Sequence, residues 1–181
     1  MSRVLSYVND RDFWVTGRLF AWSPPRWFGL WMLAASRLGD GWLWLLTGLL
    51  LLLGGSSICL RTLAGVALAM GIANAALVLL KRRFHRRRPC DYARHPHFDI
   101  QPMSLFKEDC FSFPSGHTLN AFAVGSVIAL SFPWLAPAVF AVAASVAASR
   151  VVLGLHFLSD VLAGALLGLG IGGFVQLALI S

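Results

Sequence analysis

The sequence predicts an all-α fold, a polytopic membrane bundle of five or six transmembrane helices with an interfacial N-terminal helix. Three observations carry this. Of 181 residues, 57% are apolar and only 13% are charged, where soluble domains carry about a quarter charged. Uncharged runs of membrane-crossing length, about 20 residues, recur along the chain. Proline pairs and one polar loop divide those runs into segments.

Taken in order, residues 1–38 mix Trp14, Trp22, Trp27 and Trp31 with Arg11, Arg18, Arg26 and Arg37. Trp favours the headgroup level and Arg snorkels to it, so the segment reads as interfacial helices divided at Pro24–Pro25. A further span from Pro25 to Leu38 is the alternative. Asp10, Arg11 and Asp12 argue against a cleaved signal peptide. Gly41–Leu60 has no charge and reads as a span. Thr62–Leu80 reads as the next, with the single amide Asn74. Thr118–Ser149 is uncharged but too long for one crossing, and Pro133 with Pro137 breaks it in two. The last span covers Val161–Ser181 and begins near His156. Gly65, Gly71, Gly125, Gly164, Gly168 and Gly172 suit close helix packing in lipid. No repeat or linker interrupts the chain, so residues 1–181 read as a single domain.

The net charge of +7 fits anionic membrane lipids or a phosphorylated lipid substrate as partners. Nucleic acid is disfavoured, because most of the surface faces lipid. Cys59 reads as a small hydrophobe. Cys90 and Cys110 flank the polar loop, and a disulfide or two free thiols are both open there. Oligomeric state is not encoded in any pattern.

Running the spans up and down brings Lys81, Arg88, Ser115, His117, Arg150, His156 and Asp160 to one membrane face. Arg can grip two oxygens of a phosphate at once. Ser115, Gly116 and His117 stand where a helix begins, and free N–H groups at such an end receive anions. His156 and Asp160, four apart, share a helix face. A carboxylate there would fix the imidazole tautomer and leave the other nitrogen to attack. His117 would be a second, acid–base histidine. Each piece also has a structural reading: a lipid-anchoring basic run, a helix cap at Ser115, and a polar pair at the membrane boundary. Their convergence on one face favours the chemical one.

The motifs K-x6-R-P (Lys81, Arg88, Pro89), P-S-G-H (Pro114 to His117) and S-R-x5-H-x3-D (Ser149, Arg150, His156, Asp160) resemble the three signatures of the type 2 phosphatidic acid phosphatase family. The resemblance covers residues 81–160, and the first 80 residues share only the hydrophobic layout. It implies His156 as the nucleophile, Asp160 as its orienting partner, and His117 as the acid that protonates the leaving group and later activates water. Lys81, Arg88, Arg150, Ser115 and the Gly116 amide would hold the phosphoryl oxygens. No metal or cofactor is implied, in keeping with a polar loop whose few acids form no Mg²⁺-binding cluster.

The expected activity is hydrolysis of a lipid phosphate monoester or diphosphate. Undecaprenyl diphosphate is preferred on the shortness of the chain; phosphatidic acid, phosphatidylglycerophosphate and lipid A phosphate are the other candidates. A vanadate-dependent haloperoxidase is disfavoured by the lipid-length spans. A noncatalytic protein that binds or flips anionic lipids is the alternative from another class. The resemblance implies a site on the periplasmic or exterior face of a bacterial inner membrane. The Lys and Arg count on that face points the other way under the positive-inside rule.

Overall fold

A chain this apolar hides its backbone polar groups most simply by closing every hydrogen bond within helices, and the computed structural model is built that way. It describes residues 3–92 and 111–180. The Cys90–Cys110 pairing lies outside the described residues. Among those described, the secondary structure is helical throughout.

Helix α1 (Arg3–Ala21) stops ahead of Pro24–Pro25, and α2 (Arg26–Leu38) starts directly after them. The expected Gly41–Leu60 span is not one helix. Helix α3 runs only Trp42–Gly54, and Ile58–Leu60 already belong to α4 (Ser57–Phe84). The break is Gly54-Gly55-Ser56. Gly55 adopts the left-handed conformation with φ 62°, and Ser56 Oγ accepts the Cys59 N–H at 3.2 Å to cap α4. Thirteen residues of α3 reach about 20 Å, short of the roughly 30 Å hydrocarbon layer. Helix α2 is equally short, and the two meet at a 60° bend. The turn between them is Gly39-Asp40-Gly41, with Gly41 at φ 121°.

Helix α4 carries the whole Thr62–Leu80 run and ends at His85, whose φ of 47° turns the chain. A short 3-10 turn, Pro89–Asp91, follows. Helices α5 (Gly116–Ser131), α6 (Ala136–Val152) and α7 (Leu158–Ile180) complete the bundle, with the break at Pro133 where the sequence puts it. Among the described residues α4, α7 and Pro133–Val152, which is α6 with the short turn before it, are each long and apolar enough to cross a membrane, and α2 with α3 forms one broken crossing or a re-entrant pair. Leucines of α3 and α7 such as Leu45, Leu53 and Leu166 are exposed, as a lipid-facing surface requires.

Helix α5 is the centre, wrapped by α4, α6 and α7, with Leu119, Ala123, Val124 and Val127 almost wholly buried. Its closest neighbour is α7. A Cβ on Gly164 would stand 2.7 Å from the Ser115 carbonyl oxygen, and Gly168 and Gly172 meet the Leu119 and Ala123 backbone in the same way. This stripe brings the mouth of α5 against the start of α7, and the Ser115 N–H donates to the Asp160 carbonyl at 3.0 Å. Two of the three motifs are joined by that contact.

Candidate active site

The basic run at the end of α4 sorts itself by burial. Lys81 and Arg88 are 4% and 6% exposed, whereas Arg82, Arg83 and Arg87 lie on the surface. Arg150, at the last turn of α6, is 5% exposed. Desolvating three like charges near one another is unfavourable, so such a grouping suits an anionic ligand. The charges of Arg88, Arg150 and Lys81, and the His117 ring, all act on His156.

His156 sits in the turn between α6 and α7. Gly154, at φ 70°, reverses the chain, and the N–H groups of Leu155 and His156 both donate to the Arg150 carbonyl at 3.0 Å. The ring is 2% exposed. Burial first, then the surrounding cations, hold its pKa well below the ordinary imidazole value, so the ring is neutral. Its Nδ1 lies 2.7 Å from the Ser112 carbonyl oxygen. That contact keeps the proton on Nδ1 and leaves the Nε2 lone pair open.

Asp160 is completely buried, and its Oδ2 stands 3.9 Å from His156 Nδ1. Oδ2 accepts the Phe157 N–H at 2.9 Å and the Ser112 hydroxyl. The sequence reading set Asp160 beside the ring as its orienting partner; here Ser112 contacts both and links the two. Asp160 thus holds the turn that carries His156 and the residue that fixes its tautomer.

Arg86 occupies the other side of Asp160. Its Nη1 donates to Asp160 Oδ1 at 2.6 Å and to Ser159 Oγ at 2.7 Å. Its Nη2 reaches Asp12 Oδ2 at 2.7 Å and Asn9 Oδ1 at 3.0 Å. The guanidinium also stands 4.4 Å from the Phe157 ring centroid. Asp12, 3% exposed, accepts the Ser159 N–H at 3.0 Å. Helix α1 is therefore tied to the back of the site, and is more than an interfacial anchor. Sequence reasoning passed over Arg86 and Asp12. The available signal was a carboxylate in an apolar membrane protein, which needs a partner wherever it is buried.

Ser115 precedes α5 without capping it; its Oγ receives the Thr118 hydroxyl at 3.0 Å. The first carbonyl bond of the helix comes from Leu119 N–H to Ser115 O at 3.0 Å. The earlier amides, Gly116 included, are the ones a helix mouth offers to anions. Gly116 packs on α4, where a Cβ would meet Leu77 Cδ2 at 2.7 Å. His117 is partly exposed, and its Nε2 lies 2.6 Å from Asp40 Oδ1. Ser36 Oγ accepts from Arg150 Nη1 at 2.6 Å. Arg150 Nε has no hydrogen-bond partner among the described residues. Asp40 and Ser36, like Arg86, lie outside the motifs.

The fold and site define an integral-membrane helical protein in which buried Lys81, Arg88 and Arg150 stand with buried His156 and Asp160 and the partly exposed His117. The PAP2 superfamily model matches residues 62–179. The chain belongs to that superfamily. It is 35% identical over 112 residues to the lipid A 1-phosphatase of Porphyromonas gingivalis, a match covering 60% of this chain and 21% of that protein. It is 31% identical over 138 residues to the decaprenylphosphoryl-5-phosphoribose phosphatase of Mycobacterium tuberculosis, covering 75% and 70%. The crystal structure of a transmembrane PAP2 type phosphatidylglycerolphosphate phosphatase from Bacillus subtilis superposes with a TM-score of 0.70 at 25% identity, covering 94% of this chain and 85% of that one.

Proposed function

We propose that the protein is a metal-independent phosphatase of membrane lipids that works through a phosphohistidine at His156. The observation that carries this is the buried His156 ring, its Nδ1 held by the Ser112 carbonyl, with the charges of Arg88, Arg150 and Lys81 acting on it. Nε2 attacks phosphorus as the bond to the leaving oxygen breaks, and His117 gives that oxygen a proton. Lys81, Arg88 and Arg150, with Ser115 Oγ and the Gly116 amide, hold the phosphoryl oxygens and stabilise charge as it develops. In the second half His117 takes a proton from water, whose oxygen attacks phosphorus. The electron pair of the N–P bond returns to His156. Covalent catalysis divides one difficult step into two. Asp160 orients His156 through Ser112.

The substrate class is a phosphate monoester or diphosphate on a lipid, with a polyprenyl diphosphate such as undecaprenyl diphosphate preferred. The relative matched over 75% of this chain is named for a decaprenylphosphoryl compound, and this supports a polyprenyl tail. Helix α5, with 16 residues, is about 24 Å long. A site at its mouth would sit at headgroup depth, with the lipid tail alongside in the bilayer. We place the site on the exterior face of the inner membrane. Lys81, Arg88 and Arg150 are buried within it, which weakens the charge count that would draw this face to the cytoplasm.

The test is phosphate release in detergent with excess EDTA, offering undecaprenyl diphosphate, phosphatidic acid, phosphatidylglycerophosphate and lipid A side by side. Rapid quenching of a ³²P-labelled substrate should trap an acid-labile, alkali-stable protein label that His156→Ala lacks. Turnover persisting in a folded His156→Ala protein would overturn the mechanism. Lipid binding with no turnover in the unmodified protein would favour the noncatalytic reading.

A further inference from the structure

The geometry points to Asp40 as the positioning residue of His117, forming a carboxylate–imidazole dyad from the α2–α3 turn. This rests on the acid–base role proposed for His117. Asp40 Oδ1 and His117 Nε2 are 2.6 Å apart, though 77 positions separate them in sequence. The turn is shaped for that approach. Gly39 lies flat against the ring, where a Cβ would come within 2.9 Å of His117 Cδ2. Gly41, at φ 121°, is in a conformation that side-chain-bearing residues rarely adopt. One turn earlier, Ser36 binds Arg150, and Met32 packs with Leu153 and Leu155 beside His156. The end of α2 therefore touches the site at three places, and Asp40 is its charged one.

The charged and titratable groups acting on His117 are Asp40 from the α2–α3 turn, Arg150 from α6 and Arg88 after α4, with His156 coupled to it across the site; Arg37 faces Asp40 in turn. Arg88 and Arg150 oppose a positive charge on the ring, and Asp40 favours it. A carboxylate beside one imidazole nitrogen fixes the tautomer and stabilises the cation. With Nε2–H donating to Asp40, Nδ1 is the nitrogen that exchanges protons with substrate. The ring gives the Nδ1 proton to the leaving oxygen as the P–O bond breaks. It recovers one at Nδ1 from the attacking water, and the Nε2 proton stays with Asp40 throughout.

The test compares Asp40→Asn, Asp40→Glu and His117→Ala with the unmodified protein. The two soluble probes are octyl phosphate, a poor leaving group that needs the acid, and 4-nitrophenyl phosphate, a good one that does not. Asp40→Asn should lower kcat on octyl phosphate about 10- to 100-fold, part of the roughly 10²–10⁴-fold that acid–base catalysis supplies. KM should change little, and the loss on 4-nitrophenyl phosphate should be under about threefold. Losing the carboxylate makes the imidazolium easier to deprotonate, so the alkaline limb of kcat on octyl phosphate should move to lower pH. Asp40→Glu should restore part of the rate. Equal losses on both probes with an unmoved limb would mean that Asp40 only supports the fold, and a faster Asp40→Asn enzyme would mean that it competes with substrate. Either result overturns the proposal. A fully active His117→Ala would instead remove the acid–base role on which it rests.

Discussion

Replacing Arg86 with alanine removes one guanidinium from between two carboxylates that have no access to water to compensate. Asp160 is 0% exposed and Asp12 is 3% exposed, and each lies within 2.7 Å of an Arg86 nitrogen. Breaking a buried pair by deleting one partner is destabilising by about 3–5 kcal/mol. Arg86 itself is 19% exposed, so some water can reach the vacated space, and the lower end, about 3 kcal/mol, is the better expectation. At roughly 2–4 °C per kcal/mol for a chain of this size, the melting temperature in detergent should fall by about 6–12 °C. Arg82→Ala and Arg87→Ala, at exposed positions in the same run, should stay within about 0.5 kcal/mol of the unmodified protein. The double variant Arg86→Ala with Asp12→Asn decides the cause. If the penalty comes from stranded carboxylates, neutralising Asp12 should recover part of the loss, and the double variant should melt above Arg86→Ala. An Arg86→Ala protein that melts within about 2 °C of the unmodified one, or a double variant that melts lower still, would refute the reasoning.

Other expectations follow from the same geometry. The acid limb of kcat/KM, which reports the free enzyme, should fall below the ordinary imidazole value of about 6.5. The reason is that His156, held neutral by burial and cations, takes its proton only at lower pH; a limb above that value would contradict a neutral nucleophile. Arg88→Ala should cut kcat/KM on lipid phosphate by at least about 10²-fold, the scale of one lost transition-state contact. Arg82→Ala should leave it nearly unchanged, and steady-state kinetics on both variants would expose a reversed order. Gly168→Val should destabilise the protein by several kcal/mol, since the new side chain meets the backbone of α5; thermal melting checks this against Gly71→Ala, where nothing stands within 4 Å.

Much of the fold was legible because lipid-length apolar runs and prolines are explicit in the residues. The break at Pro133 falls where the pattern puts it, and the Thr62–Leu80 run lies wholly within the longer α4. The run Gly41–Leu60 misled because composition alone does not register a chain reversal. Its signal was the Gly54-Gly55-Ser56 triplet, a left-handed stop followed by a capping serine. In the site, the three motifs carry fixed spacing and so announce themselves. Asp12, Asp40 and Arg86 do not. Each makes contacts 74 or more positions away in the chain, and no local pattern encodes such a pairing. Ser112 was invisible for another reason. It acts on His156 through its backbone carbonyl, a group that every residue has.

The grouping of Lys81, Arg88 and Arg150 also predicts how the protein responds to a bound anion. The three cations are buried, Arg88 acts on Arg150 as a like charge, and Arg150 Nε has no hydrogen-bond partner among the described residues. An oxyanion that binds there meets those donors only in the folded state, because the unfolded chain does not bring them together. Binding to the folded state alone raises stability by about 2.7 kcal/mol at a concentration one hundred times Kd, or roughly 5–11 °C in melting temperature. Orthovanadate, which accepts a fifth ligand and so mimics phosphorus under attack, should act at lower concentration than phosphate. His156→Ala should abolish that preference while keeping the phosphate response. Arg150→Ala should weaken the response to both anions. Melting curves unmoved by either anion in the unmodified protein would mean that the cations do not form a phosphate site, whatever their burial.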